Sequence, residues 1–337
     1  MLNIYSRDTS LEGALTVVPP AAQENEGDEA GWCEITPDGV WIDLLEPDRE
    51  EERYVEGVVG LNLPTREDMQ EIEFSSRLYL EDGAAFMTAQ VAFHGGHEHL
   101  QSGPVTFVLH RQHLITIRYI DPKSFSIFAD RTIRQSGTCD HPYEALGNLL
   151  EVLIDRTADL LEKASATVDE ISGRIFAPKR GRNLEKVLRE LGRCQSDTAR
   201  IRDSLVSFGR LLLFARALDR ELVGTDEAGF NAFHEKLRTL EKDVASLNDH
   251  SAFVSGNIAY LHEAALGMIN LEQNTTIKIV SVASVAFLPP TLIASLYGMN
   301  FEFMPELHVP WAYPLVVGAM VLSAVGPLVW FRIKGWL

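Results

Sequence analysis

Apolar positions change their spacing along this chain, and each change marks a different kind of element. From Trp41 to about Asp140, short β-like runs alternate with turn residues. They cover Ala85 to Phe93, Val105 to Leu109 and Leu114 to Tyr119, with one helix-like stretch around Thr65 to Phe74. That pattern predicts an α/β domain over residues 1–140. Beyond Glu144 the spacing turns helical, with Leu146, Leu150, Leu153, Leu160, Ala164, Val168 and Ile171 on one face. A break at Pro178-Lys179-Arg180-Gly181 follows. Leu184, Leu188, Leu191, Ile201, Leu205, Phe208 and Leu212 then predict a second helix, antiparallel to the first, that stops near Gly224.

A third helical segment repeats Phe230, Phe233, Leu237, Leu240, Val244, Leu247, Val254, Ile258, Leu261, Ala265 and Met268 mostly at steps of three and four. No proline interrupts it before the next apolar run, so one helix is predicted from about Glu227 to Tyr297, roughly 100 Å at about 1.5 Å per residue. The seam fits a rigid stalk leading to a membrane, and equally a helical hairpin that packs on its own subunit.

From Ile279 to Tyr297 the chain has 19 residues without a charge, and from Val309 to Phe331 it has 23. Each is long enough to cross a bilayer, and the pair predicts a membrane hairpin. Lys278 precedes the first run and Arg332 and Lys334 follow the second, whereas Gly298 to His308 holds no Lys or Arg. Both termini are therefore expected in the cytoplasm. Trp311, Tyr313, Trp330 and Trp336 stand where aromatic rings meet headgroups. The segments expected are a cytoplasmic helical region at 141–278, spans at 279–297 and 309–331, an external loop at 298–308 and a basic tail at 332–337. The fold class is α+β: a cytoplasmic α/β domain, then long helices, the last continuing into the first of two C-terminal spans.

Two spans cannot enclose a wet path, so a transport role needs several copies. Ser281, Ser284, Thr291 and Ser295 form a polar stripe on the first span, suited to close helix packing or to a pore lining. The formal net charge of −18 excludes a nucleic-acid partner, because phosphate backbones are held by Lys and Arg clusters. Acidic surfaces attract cations, and they also keep a protein soluble. Cys33, Cys139 and Cys194 form no C-x-x-C spacing, the N-terminus has no signal-peptide pattern, and the acidic stretch from Ala21 to Glu29 reads as loop. His94, His97 and His99, with His110 and His113, fall between β-like runs and read as solvated hairpin turns in preference to a metal site. No nucleophile with a base, carboxylate pair or phosphate-cradling loop stands out, so the chain is not read as an enzyme.

The segment Tyr297-Gly298-Met299-Asn300-Phe301-Glu302-Phe303-Met304-Pro305-Glu306-Leu307 resembles the signature of CorA magnesium transporters. The likeness extends to Asn270-Leu271-Glu272-Gln273-Asn274, Phe287-Leu288-Pro289-Pro290-Thr291, Tyr313-Pro314, the terminal Lys334-Gly335-Trp336-Leu337 and, near the N-terminus, Trp41-Ile42-Asp43-Leu44. It implies a homopentamer in a bacterial inner membrane that carries Mg²⁺, with Co²⁺ and Ni²⁺ as further cargo. The first span would line the pore, and Gly298, Met299 and Asn300 would form its selectivity filter.

By register from Asn300, the resemblance assigns the pore lining to Thr291, Leu288, Ser284, Val280, Ile277 and Asn274. Glu302 and Glu306 in the external loop would concentrate cations. Regulatory Mg²⁺ between neighbouring cytoplasmic domains is also implied. Asp68 matches one such position, whereas its partner falls at Thr239, so Asp243 or Glu241 is expected to substitute, and Glu263 is a further candidate. The rival readings are a proton-coupled Zn²⁺ transporter on the same scaffold and a membrane-tethered sensor or scaffold.

Overall fold

The structure is a computed structural model that describes residues 1–7, 15–18, 39–71, 73, 76–96, 99–110, 112–134, 140–177, 183–299 and 304–335. It divides into two compact units, Met1–Leu261 and His262–Leu337.

The first unit opens with β1 (Leu2–Arg7), β2 (Leu15–Val18) and β3 (Gly39–Leu45), then α1 (Arg49–Val59) and α2 (Arg66–Gln70). β4 (Leu78–Glu81), β5 (Ala84–Phe93), β6 (Gln101–Leu109) and β7 (Leu114–Arg118) follow. The seven strands form one sheet in the order β2-β1-β3-β7-β6-β5-β4. Every pairing is antiparallel except β3 with β7, where Trp41 faces Leu114 and Asp43 faces Thr116.

β3 is central, and its alternation sends Ile42 and Leu44 to one face and Trp41 and Asp43 to the other. Ile42 and Leu44 join Leu2, Ile4, Val55, Leu61 and Met69 in a core beneath α1 and α2. Trp41 is fully buried, stacks on Tyr5 with ring centroids 4.2 Å apart and meets Phe128 edge-on at 4.9 Å. Its Nε1 donates to Thr116 Oγ1 at 3.0 Å, and that hydroxyl donates to Asp43 Oδ1 at 2.7 Å. Arg118 completes the chain, donating from Nε and a terminal nitrogen to the two oxygens of Asp43 at 3.1 and 2.9 Å. A buried charge pair is tolerated only when such hydrogen bonds satisfy both partners.

The helices start where capping chemistry permits. Asp48 and Glu51 form a capping box on α1, and Gly60 closes that helix with φ of 74°. Thr65 and Asp68 form another on α2, which ends at Gln70; Phe74, the end of the predicted stretch, lies outside the described residues. α3 (Lys123–Arg134) lays Phe125 and Phe128 on the sheet. α4 (Pro142–Phe176) and α5 (Leu184–Arg216) are the expected pair, with Arg174 and Glu190 ion-paired across it, while the break residues Pro178 to Gly181 lie outside the described residues. Ser204 and Ser207 of α5 accept from the backbone N–H groups of Ala92 and Gln90 on β5.

The short α6 (Arg220–Val223) leads into α7 (Glu227–Tyr297), a helix of 71 residues. Phe233, Leu237, Leu240, Val244, Val254, Ile258 and Leu261 are buried. Phe233 packs edge-on to Tyr143 at 5.7 Å, and Lys236 Nζ donates to Glu151 at 3.0 Å. The seam through Leu261 therefore packs on its own subunit, and the helix is also unbroken.

The histidine turns divide. The loop after β5 exposes His94 and His99, and His97 lies outside the described residues. His113, expected to be solvated, is only 6% exposed, and its carbonyl accepts from His110 N–H at 3.0 Å just before β7 begins.

The second unit contains the remainder of α7, a 3₁₀ turn (Pro305–His308) and α8 (Ala312–Ile333). α7 and α8 are each long and apolar enough to cross a membrane, with none of the apolar window buried. Pro289 and Pro290 lie inside α7. Lacking N–H groups, they leave the carbonyls of Val285 and Ala286 without their usual helical donors.

Candidate ion pathway

Ile277, Val280, Ser284, Leu288 and Thr291 lie in α7 at steps of three, four, four and three. At about 100° per residue those positions share an arc of about 80°, with Asn274 one short turn below Ile277. All six side chains are exposed in the single chain. Ser284 Oγ donates to the Val280 carbonyl at 2.9 Å and Thr291 Oγ1 to that of Phe287 at 2.7 Å. Each hydroxyl hydrogen is thus engaged by its own helix, which leaves oxygen lone pairs facing outward. Outward-facing acceptors suit the water hydrogens that surround a hydrated cation.

Gly298 ends the helix. Its N–H donates to the Ala294 carbonyl at 2.9 Å, and a Cβ at this position would stand 3.1 Å from that same oxygen. Met299 is 49% exposed. Asn300 and Glu302 lie outside the described residues; the backbone of Glu306 belongs to the 3₁₀ turn, and its side chain is likewise outside them.

The expected regulatory carboxylates have distinct surroundings. Asp68 Oδ2 accepts from Thr65 N at 2.9 Å and Thr65 Oγ1 at 2.7 Å, and the side chain is exposed. Glu241 is held by Arg216 at 2.5 Å through one oxygen, while the other is buried without a partner. Arg216 was missed in the sequence because it lies 25 residues upstream on another helix. Asp243 is exposed and faces Asp155 of α4, whose carboxyl is raised above the ordinary range by desolvation and then by repulsion from Glu151, Asp159 and Asp243. Thr239 donates to the Glu235 carbonyl at 3.0 Å. Glu263 is exposed and belongs to the second unit. Among the described residues, no group of three or more His, Cys, Asp or Glu is placed to hold a metal within one chain.

The family model described as "CorA-like Mg2+ transporter protein" matches residues 38–332. The chain belongs to the CorA-like Mg²⁺ transporter family. Among CorA relatives, the magnesium transport protein CorA of Escherichia coli (strain K12) is 34% identical over 302 residues, covering 88% of this chain and 92% of the relative. The complete CorA magnesium transporter structure from Methanocaldococcus jannaschii superposes with a TM-score of 0.74 at 17% identity, covering 100% of this chain and 99% of that one. The ZntB cytoplasmic domain from Vibrio parahaemolyticus gives 0.56 at 13% identity over 80% of this chain and 97% of that one. At such identities these two likenesses establish a shared fold.

Proposed function

We propose that five copies of this chain form a Mg²⁺ channel in a bacterial inner membrane. The family match over residues 38–332 carries the reading, because it takes in both apolar helices and their connection. Residues 279–297 and 309–331 are the spans, 298–308 is the external loop, and the preceding residues and the tail 332–337 are cytoplasmic.

Asn300 residues ring the mouth and bond the hydrated ion through neutral amide oxygens, since Mg²⁺ sheds water reluctantly. Gly298 permits the close of the helix at the mouth, and Met299 packs there. Glu302 and Glu306 concentrate cations outside. Along the pore, Ser284 and Thr291 present acceptors to the hydration shell, whereas Ile277, Val280 and Leu288 form apolar constrictions that close by dewetting. Asn274 marks the cytoplasmic entrance. Co²⁺ and Ni²⁺ pass as hydrated ions of similar size.

Internal Mg²⁺ closes the channel by bridging carboxylates between subunits. Asp243 serves better than Glu241, because Arg216 already neutralises the latter. Asp68 presents an exposed carboxylate for the opposite side of the bridge, and Glu263 is a further ligand.

The test is divalent-cation flux into proteoliposomes. Mg²⁺ entry should ignore a proton gradient and fall at least about tenfold in Asn300→Ala, the loss of about 1.4 kcal/mol of ion binding. Zn²⁺ flux driven by protons would instead reassign the chain to a proton-coupled Zn²⁺ transporter. Absence of either flux would leave a tethered scaffold.

A further inference from the structure

α5 carries Arg189, Arg193, Ser196 and Arg200 at steps of four, three and four. At about 100° per residue they share a face about 60° wide. With His99 and Asp197 they wall a cavity of about 410 Å³. A second cavity, of about 390 Å³, shares Arg193 and Asp197; Leu160, Ala164, Ile171 and Ile201 give it an apolar wall, and Lys163, Glu170, Arg174 and Glu190 a charged one.

In a chain with a net charge of −18, three guanidiniums around one carboxylate need an account. Arg189 pairs with Glu185 at 2.6 Å, but the two side chains are 71% and 80% exposed and such a pair contributes little. Arg200 donates to the Leu100 carbonyl and stands 3.9 Å from Asp197. Arg193 has no hydrogen-bond or ion-pair partner among the described residues. Arg193 therefore brings a guanidinium with no carboxylate on it, between one whose pair is solvent-exposed and one whose pair is long, and the planar N–H forks of all three suit phosphate oxygens.

We propose that the paired cavities bind a nucleoside polyphosphate. The phosphates lie on Arg189, Arg193 and Arg200 with the Ser196 hydroxyl donating beside them, and the nucleoside enters the second cavity against its apolar wall. The adjoining recess favours this ligand over an acidic protein segment, because its wall of Leu160, Ala164, Ile171 and Ile201 offers a nucleoside a place that an extended segment on the exposed arginines would leave unfilled. Both cavities are of small-ligand size.

Calorimetric titration of the full-length chain in detergent, at fixed free Mg²⁺, tests the proposal with ATP, tripolyphosphate and adenosine. ATP should bind more tightly than tripolyphosphate, and adenosine should give no signal. Arg189→Gln combined with Arg193→Gln, both at exposed positions, should weaken the two polyanions at least about tenfold. Arg193→Lys should retain part of the binding. Ala164→Trp, which fills the inner cavity, should weaken ATP and spare tripolyphosphate. Absence of ATP binding, or equal binding by the double glutamine variant, overturns the proposal. So does tripolyphosphate matching ATP in the wild type. A double variant that changes oligomer size while ATP fails to bind the wild type would assign the arginines to a protein contact instead.

Discussion

Asp43 is held out of water with Thr116 and two nitrogens of Arg118, Nε and one terminal nitrogen, on its oxygens. Asp43→Ala strips the carboxylate from two of the nitrogens of Arg118, leaving the guanidinium buried beside Phe125 with the Asp121 carboxylate still on it, which should cost about 3 kcal/mol and lower the thermal unfolding midpoint in detergent. Asp155 acts in the opposite sense. The folded chain holds its proton more tightly than the unfolded chain does. Stability therefore falls as pH rises from the ordinary carboxylate range through the raised folded value, and stays lowered above it. Asp155→Asn should raise the midpoint at about pH 7 and leave it unchanged at about pH 3, where the carboxyl is mostly protonated in both states.

At the scale of elements, the seam of α7 is a set of core contacts. Leu237→Ala removes a fully buried side chain and should cost about 2–5 kcal/mol, read as a lower melting midpoint. That seam, strands β5 to β7 and the α4–α5 pair were legible because their apolar periods are long and regular. Other elements were not. β1 is short, and its pairing with β3 is set by residues far along the chain. α1 is so charged that its apolar face is thin, and the capping box of Asp48 and Glu51, the signal that could have marked it, was not read. α3 anchors through Phe125 and Phe128, which have meaning only once Trp41 lies opposite. The parallel join of β3 to β7 spans more than 70 residues, so no local pattern announces it. The positions that the resemblance assigns to a pore share one arc of α7, whereas the arginine face of α5 was passed over because its positions read as an ordinary solvated helix surface.

For the molecule as a whole, the proposed pentamer would place the candidate pore side chains, exposed in one chain, against a shared lumen. Converting Asp68 and Asp243 together to Asn keeps the α2 cap, because Asn still accepts from Thr65. In proteoliposomes the double variant should continue to conduct at internal Mg²⁺ levels that shut the wild type, and unchanged closure would count against those ligands.

The proline pair of α7 bears on how such an assembly is made. A newly inserted chain places two acceptor carbonyls, those of Val285 and Ala286, in hydrocarbon with no donor of its own helix to meet them. In the proposed pentamer, neighbouring helices or lumen water would relieve that deficit when the ring closes. On that reading a solitary protomer would be an unfinished product of membrane biogenesis, its backbone bonding completed only by its partners.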